Sequence, residues 1–276
     1  MAEFGAVAPF RLERPSADES PLLVEVPHAG LHVDPASLAV SCAPLRAVGR
    51  DADLLVDQLF QDAPDLGASL LVATHSRFVV DLNRGPGEVD GMAVENGSAQ
   101  PQPRGLIWRT TTENDPILLR RLSSHEFERR LATFYRPYHE AFQHELDRKR
   151  ERFGFAIVLC AHSMPSTGRR GHIDVGSGRA DVVPGSRGRT SASDGVIDCV
   201  DAVSRRLGFS VKHDDPYRGG FSTGHYGRPG QGQHAIQIEL ARRLYMDEDL
   251  LIPNQGFDRT RGLARELVRS LAAFCP

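Results

Sequence analysis

"LCAHSMPS", residues 159–166, ends an apolar run in a histidine, a serine and a proline, and "LLVEVPHAG", residues 22–30, likewise leads into Pro27, His28, Ala29 and Gly30. Both runs are short and continuous. That is the mark of a strand buried on both faces, as in a parallel sheet covered by helices. In open α/β sheets the ligand site lies at the carboxyl ends of the strands. His28 and His162 therefore stand where such a fold places its chemistry.

Working outward, the same reading predicts strands at 22–28, 69–75, 77–83, 155–163, 209–214 and 234–240. Helical spacing predicts helices at 51–61, at 120–154 with Pro137 as a kink or break and Gly154 as the stop, at 192–208 and at 258–274. Strands alternating with helices indicate an α/β fold. Two stretches rich in Gly, Pro and polar residues, 82–105 and 166–193, read as long loops, which in a compact domain are usually functional or disordered. With no repeat and no linker, residues 1–276 are expected to form one domain.

Composition narrows the classes of function. A chain of 276 residues, 40% hydrophobic and 25% charged, can bury a substantial core. A formal net charge of -3 gives no reason to expect nucleic acid or an anionic membrane as a partner. No apolar run reaches the roughly 18 residues of a membrane span, and the N-terminus lacks the order of a secretory signal. The four cysteines, without CxxC spacing, suggest reduced thiols and a cytoplasmic protein.

Two further residues match the strand-end logic. Glu239 is a carboxylate inside the β-branched run "HAIQIEL", and its ionised side chain needs a cavity, a cation or solvent. Asp53 follows "VGRD" at a helix entry, where a cap is the ordinary alternative and Asp51 and Asp57 compete with it. Two imidazoles and a carboxylate with an open position make the ligand set of a catalytic zinc, and a further carboxylate, Glu239, then serves as general base. Taken singly, each histidine is more commonly a hydrogen-bonded turn residue. His32, four residues after His28, is discounted because Pro27 and Gly30 oppose a helix.

"GFSTG", residues 220–224, matches the G-x-S-x-G pattern of serine hydrolases with Ser222 as nucleophile. Its flanks lack the strand-turn-helix context, and no acid-then-histidine order follows. Arginines beside glycines, Arg84, Arg187, Arg189 and Arg218, suggest loops that close on a small acidic substrate.

Eight blocks in order, "VPHAG", "DADLLVDQLF", "VVDLNR", "FYRPYH", "CAHSMPS", "DVVPGSRGRTS", "PYRGGFSTGHYGRP" and "QHAIQIELARRLYMDE", resemble the N-formylglutamate amidohydrolase family. The resemblance implies a three-layer α/β/α domain with a mixed, mainly parallel sheet like that of zinc-dependent exopeptidases. It implies hydrolysis of N-formyl-L-glutamate to formate and glutamate, a step of histidine degradation. It also implies one divalent metal ion, zinc, on His28, Asp53 and His162, with Glu239 as base. Asn83, Arg84, Arg187 and His225 become candidates for the substrate carboxylates or the oxyanion. Deacylation of another N-acyl amino acid or a small peptide on the same metal site, and a non-catalytic module binding an acidic ligand, are the alternative readings. The chain departs from the family at "RGRTS", with Gly188 and Arg189, and in the enlarged loop "TGRRGHIDVGSGRA", residues 167–180.

Overall fold

The computed structural model describes residues 7–16 and 18–275. Three strands predicted as doubly buried runs form its centre: β2 (Leu22–Val26), β4 (Ala156–Met164) and β6 (Gln233–Ala241), every residue of which is buried. With β1 (Phe10–Glu13), β3 (Ser69–Ala73) and β5 (Val182–Gly185) they make one six-stranded sheet in the order β1-β3-β2-β4-β6-β5. The pairings β3-β2, β2-β4 and β4-β6 are parallel, while the edge strands β1 and β5 run antiparallel to their neighbours. The sheet is mixed and mainly parallel, as expected.

Between the strands run helices α1 (Pro35–Leu38), α2 (Leu45–Asp51), α3 (Val56–Leu59), α4 (Ser124–Arg130), α5 (Arg136–Phe153), α6 (Asp194–Arg206), α7 (Phe221–Tyr226) and α8 (Phe257–Ala272). Alternation along each strand sends successive side chains to opposite faces, so one strand feeds two cores. Leu22, Val24, Ile157, Leu159, Ile236 and Ile238 meet Val56, Val196, Val200, Leu263 and Leu267 of α3, α6 and α8 on one face. Leu23, Val158, Cys160 and Ala235 meet Phe134, Tyr138, Phe142 and Tyr226 on the other.

Several expectations are corrected. Residues 77–83 are turns, not a strand: Phe78, Val79, Val80 and Leu82 are buried, but as a loop running into two separate apolar clusters. A buried apolar loop and a buried strand look alike to a pattern that records only hydrophobicity. Residues 209–214 contribute one isolated bridge, Val211 to Val182, rather than a strand. Helix 51–61 is broken: α2 ends at Asp51, α3 starts at Val56, and Leu55 between them takes a left-handed φ of 67°. Helix 120–154 is continuous from Ser124 to Phe153, with Gly154 at its C-cap as expected. It contains a π-helical turn, Leu131–Tyr135, just before Pro137. The wider turn accommodates a residue that has no N–H to donate. Edge strands β1 and β5 were not anticipated, the latter lying inside a stretch read as loop. No described helix is long and apolar enough to cross a membrane.

Candidate metal centre

Strand order reverses between β2 and β4, because β3 lies on one side of β2 and β4 on the other; ligands favour this kind of switch point. His28 follows β2 there, and Gly30 lets the chain pass close against the next strand's end: a Cβ on it would lie 2.4 Å from the backbone carbon of Thr74. His162 lies near the end of β4 and is paired in register with Glu239 on β6, so the two share a face. Asp53 arrives from the break between α2 and α3, its N–H donating to the His28 carbonyl at 2.9 Å.

One ligand atom from each of His28, Asp53 and His162 lies within 4.8 Å of the others, and all three residues are buried. His162 Nδ1 is 2.9 Å from Asp53 Oδ2, and His28 Nδ1 is 3.5 Å from the same oxygen. His28 Nε2 donates to Asp81 Oδ1 at 2.8 Å, which leaves Nδ1 as the lone-pair nitrogen. That Nδ1 is buried and has no hydrogen-bond partner. An unpartnered imidazole nitrogen aimed at a carboxylate and a second imidazole fits a cation with nitrogen and oxygen ligands, and this group could hold one.

The surroundings tune these groups. Burial opposes ionisation of Asp53, yet the hydrogen bond from His162 and the imidazole of His28 close by hold its carboxyl well below the usual range. Asp81 is likewise held well below it, against burial, by the Arg77 guanidinium and by His28. Glu239 goes the other way: burial, with the Asp53 charge adding to it, pushes its carboxyl up to about 7 against the pull of His162. A bound cation would draw it down again. Gln237 Nε2 donates to Glu239 Oε1 at 2.9 Å, fixing the carboxylate in the cavity.

The cluster opens into a cavity of about 380 Å³. Of the anticipated substrate residues, Asn83 and Arg84 line it, and Asn83 Nδ2 lies 3.2 Å from His162 Nε2. Arg187 and His225 do not line it: Arg187 donates to the Gly219 carbonyl at 3.2 Å, and His225 stacks on Phe221 with ring centroids 4.7 Å apart. Arg189 points outward to Asp194 and Asp198. His32 pairs with His75 instead of joining the cluster. Ser222 is fully buried, its hydroxyl donating to Glu25 Oε1 at 2.9 Å, so it is no exposed nucleophile.

Sequence reasoning missed Asp81, Arg77, Trp108, Arg104, Arg169, His172 and Arg242, all at or beside the cavity. Asp81 carried a usable signal: a carboxylate inside an apolar run, as with Glu239. The enlarged loop contributes Arg169 and His172 to the wall.

The N-formylglutamate amidohydrolase family profile matches residues 20–246. An N-formylglutamate deformylase from Pseudomonas putida is 36% identical over 83% of this chain and 82% of its own. One from Pseudomonas aeruginosa is 34% identical over 92% and 93%. The crystal structure of an N-formylglutamate amidohydrolase from Ralstonia eutropha JMP134 superposes with a TM-score of 0.89 at 30% identity, covering 96% of this chain and 98% of that one.

Proposed function

The chain belongs to the N-formylglutamate amidohydrolase family, and from that premise we propose that it is a metal-dependent enzyme, folded as one unit over residues 1–276, that hydrolyses N-formyl-L-glutamate to formate and L-glutamate. The observation that carries the reading is the buried, unpartnered Nδ1 of His28 facing Asp53 and His162, with Glu239 in register beside His162. In this proposal His28, Asp53 and His162 hold one zinc ion. Bound there, zinc supplies Lewis acidity for the formyl oxygen and makes water a nucleophile near neutral pH.

The protein's own groups do the rest. Glu239 accepts the proton of the attacking water as a C–O bond forms at the formyl carbon. It then delivers that proton to the amide nitrogen as the C–N bond breaks, so formate and the free amine leave. Gln237 keeps Glu239 turned toward the reacting atoms through its 2.9 Å hydrogen bond. Asp81 holds His28 in the tautomer that presents Nδ1. Asn83 and Arg84 border the cluster and bind the carboxylate nearest the scissile bond. The test is elemental analysis of the purified protein together with formate release from N-formyl-L-glutamate. Stoichiometric zinc with formate release is expected; a metal-free protein that turns over, or a zinc-loaded one that does not, defeats the proposal.

A further inference from the structure

The cavity holds more guanidinium groups than the chain's own carboxylates engage. Seven arginines line it against three carboxylates, Asp51, Asp53 and Glu239. Four of the seven are committed within the fold. Arg77 forks onto Asp81 at 3.1 and 2.7 Å, Arg242 reaches Asp53 at 3.3 Å, Arg169 reaches Asp51 at 3.1 Å, and Arg50 reaches Glu113 at 3.2 Å. Of the other three, Arg84 stands 3.9 Å from Glu88, and among the described residues no carboxylate pairs with Arg104 or Arg218.

Arg104 is held across two separate loops. Nη1 donates to the Thr111 carbonyl at 3.2 Å and Nη2 to the Gly171 carbonyl. Gly171 is itself pinned, its N–H donating to the Thr112 carbonyl at 2.8 Å. A Cβ on Gly171 would lie 2.5 Å from Arg104 Nη1, so the absence of a side chain makes room for the guanidinium. Both acceptors are neutral, and a guanidinium has five N–H donors, so three remain for a ligand. Burial lowers the pKa of this group, against the pull of Asp51. A partly desolvated cation fixed in place without a counter-ion is prepared for an anion that arrives with the substrate.

Position separates its role from that of Asn83 and Arg84. Asn83 touches His162, so that pair sits where the α-carboxylate falls, its carbon two bonds from the scissile nitrogen. The Arg104 guanidinium is anchored instead on the loops carrying Thr111 and Gly171. The γ-carboxyl carbon lies four bonds from the same nitrogen.

Resting on the function proposed above, we infer that Arg104 is the specificity-determining residue that receives the γ-carboxylate of the substrate, and that the loop at Gly171 holds its guanidinium in place. N-formyl-L-glutamine is the neutral isostere that isolates this contact. Parent protein and Arg104→Gln are assayed on N-formyl-L-glutamate and N-formyl-L-glutamine, and binding of L-glutamate and L-glutamine is measured by calorimetry on the same samples. Arg104→Met, which keeps the length of the stem, is run beside them so that a folding defect in one variant does not stand for the result.

The expected result is a fall of roughly 10- to 150-fold in kcat/KM for N-formyl-L-glutamate, the span of one charged hydrogen-bonding contact. The rate on N-formyl-L-glutamine stays within about threefold of the parent, and the preference for glutamate over glutamine disappears in calorimetry. An equal loss on both substrates, an undiminished preference, or a parent without preference overturns the inference. If the parent hydrolyses neither compound, the proposed function fails, and the calorimetric preference alone then decides for or against Arg104.

Discussion

Replacing Asp81 with asparagine tests whether the candidate metal centre is held by the residues behind it. Asp81 accepts five hydrogen bonds, from His28 Nε2 and the Asn83 N–H on Oδ1 and from Arg77 Nε, Arg77 Nη2 and Trp108 Nε1 on Oδ2. The side-chain amide that replaces this carboxylate, whichever way it turns, presents N–H groups to donors. In either orientation the neutral amide leaves the buried Arg77 guanidinium without its counter-ion. If it faces His28, Nε2 must become the acceptor, and the proton moves to Nδ1, where it occupies the lone pair that the cluster needs. Breaking a buried ion pair costs about 3–5 kcal/mol, and loss of a carboxylate behind a metal-binding histidine lowers metal affinity about 10- to 100-fold. Urea unfolding of the metal-free protein reads the first quantity, and competition with a chromophoric zinc chelator reads the second. Adding Arg77→Met should recover a large part of the stability, because the stranded charge is gone, without restoring zinc affinity. A variant within about 1 kcal/mol of the parent, with unchanged zinc affinity, refutes the reasoning.

Glu239→Gln should lower turnover by about 10²- to 10⁴-fold while the zinc content is retained, as read by formate release and elemental analysis; wild-type turnover would remove Glu239 from the mechanism. His162→Ala should lose zinc together with activity, and full occupancy in that variant would count against its role as a ligand. Arg84→Ala should raise KM for N-formyl-L-glutamate with little change in kcat, and an unchanged KM would leave Arg84 structural. Stability should fall in acid through Glu145, whose carboxyl, against burial, is held down at about 2 from 4.5 by Arg148, Ser69 and Arg14. A carboxyl depressed in the folded state contributes stability that is present above pH about 4.5 and lost as pH falls toward about 2. Urea midpoints between pH 6 and 3 should therefore drop more steeply for the parent than for Glu145→Gln.

The legible part of this fold was the part buried on both faces. β2, β4 and β6 are apolar throughout because helices cover both sides of the sheet, and residues at or just beyond their ends, His28, His162 and Glu239, were found by that logic. The edge strands escaped it. β1 is half-exposed and polar as "FRLE", and β5, "VVPG", owes its place to antiparallel pairing with β6, a long-range contact no local pattern carries. The loop 77–83 misled in the opposite direction, being apolar because it fills two clusters. Of the cavity arginines, Arg84 and Arg218 were legible from their flanking glycines, while Arg50, Arg77, Arg104, Arg169 and Arg242 were hidden for a different reason: the net charge of -3 sums a remainder of the chain that is acidic on balance with a cavity that is not.

Three carboxylates interrupt apolar runs, Glu25, Asp81 and Glu239, and their different fates show what such a signal is worth. Each is buried, so each had to find partners or give up its charge. Asp81 keeps its charge through Arg77 and His28. Glu25 sits in the middle of the sheet, in register with Cys160, with Tyr138 and Ser222 hydroxyls on Oε1 and, among the described residues, no hydrogen bond on Oε2 and no Lys or Arg paired with it; burial pushes its carboxyl up. Glu239 lies two residues further along its strand than the position paired with Cys160, level with His162, where the sheet ends and the cavity begins. A shift of two residues keeps the face and changes the depth by about 7 Å. Depth along the strand, more than residue type or hydrophobic context, therefore separates a carboxylate that packs from one that can act as a base.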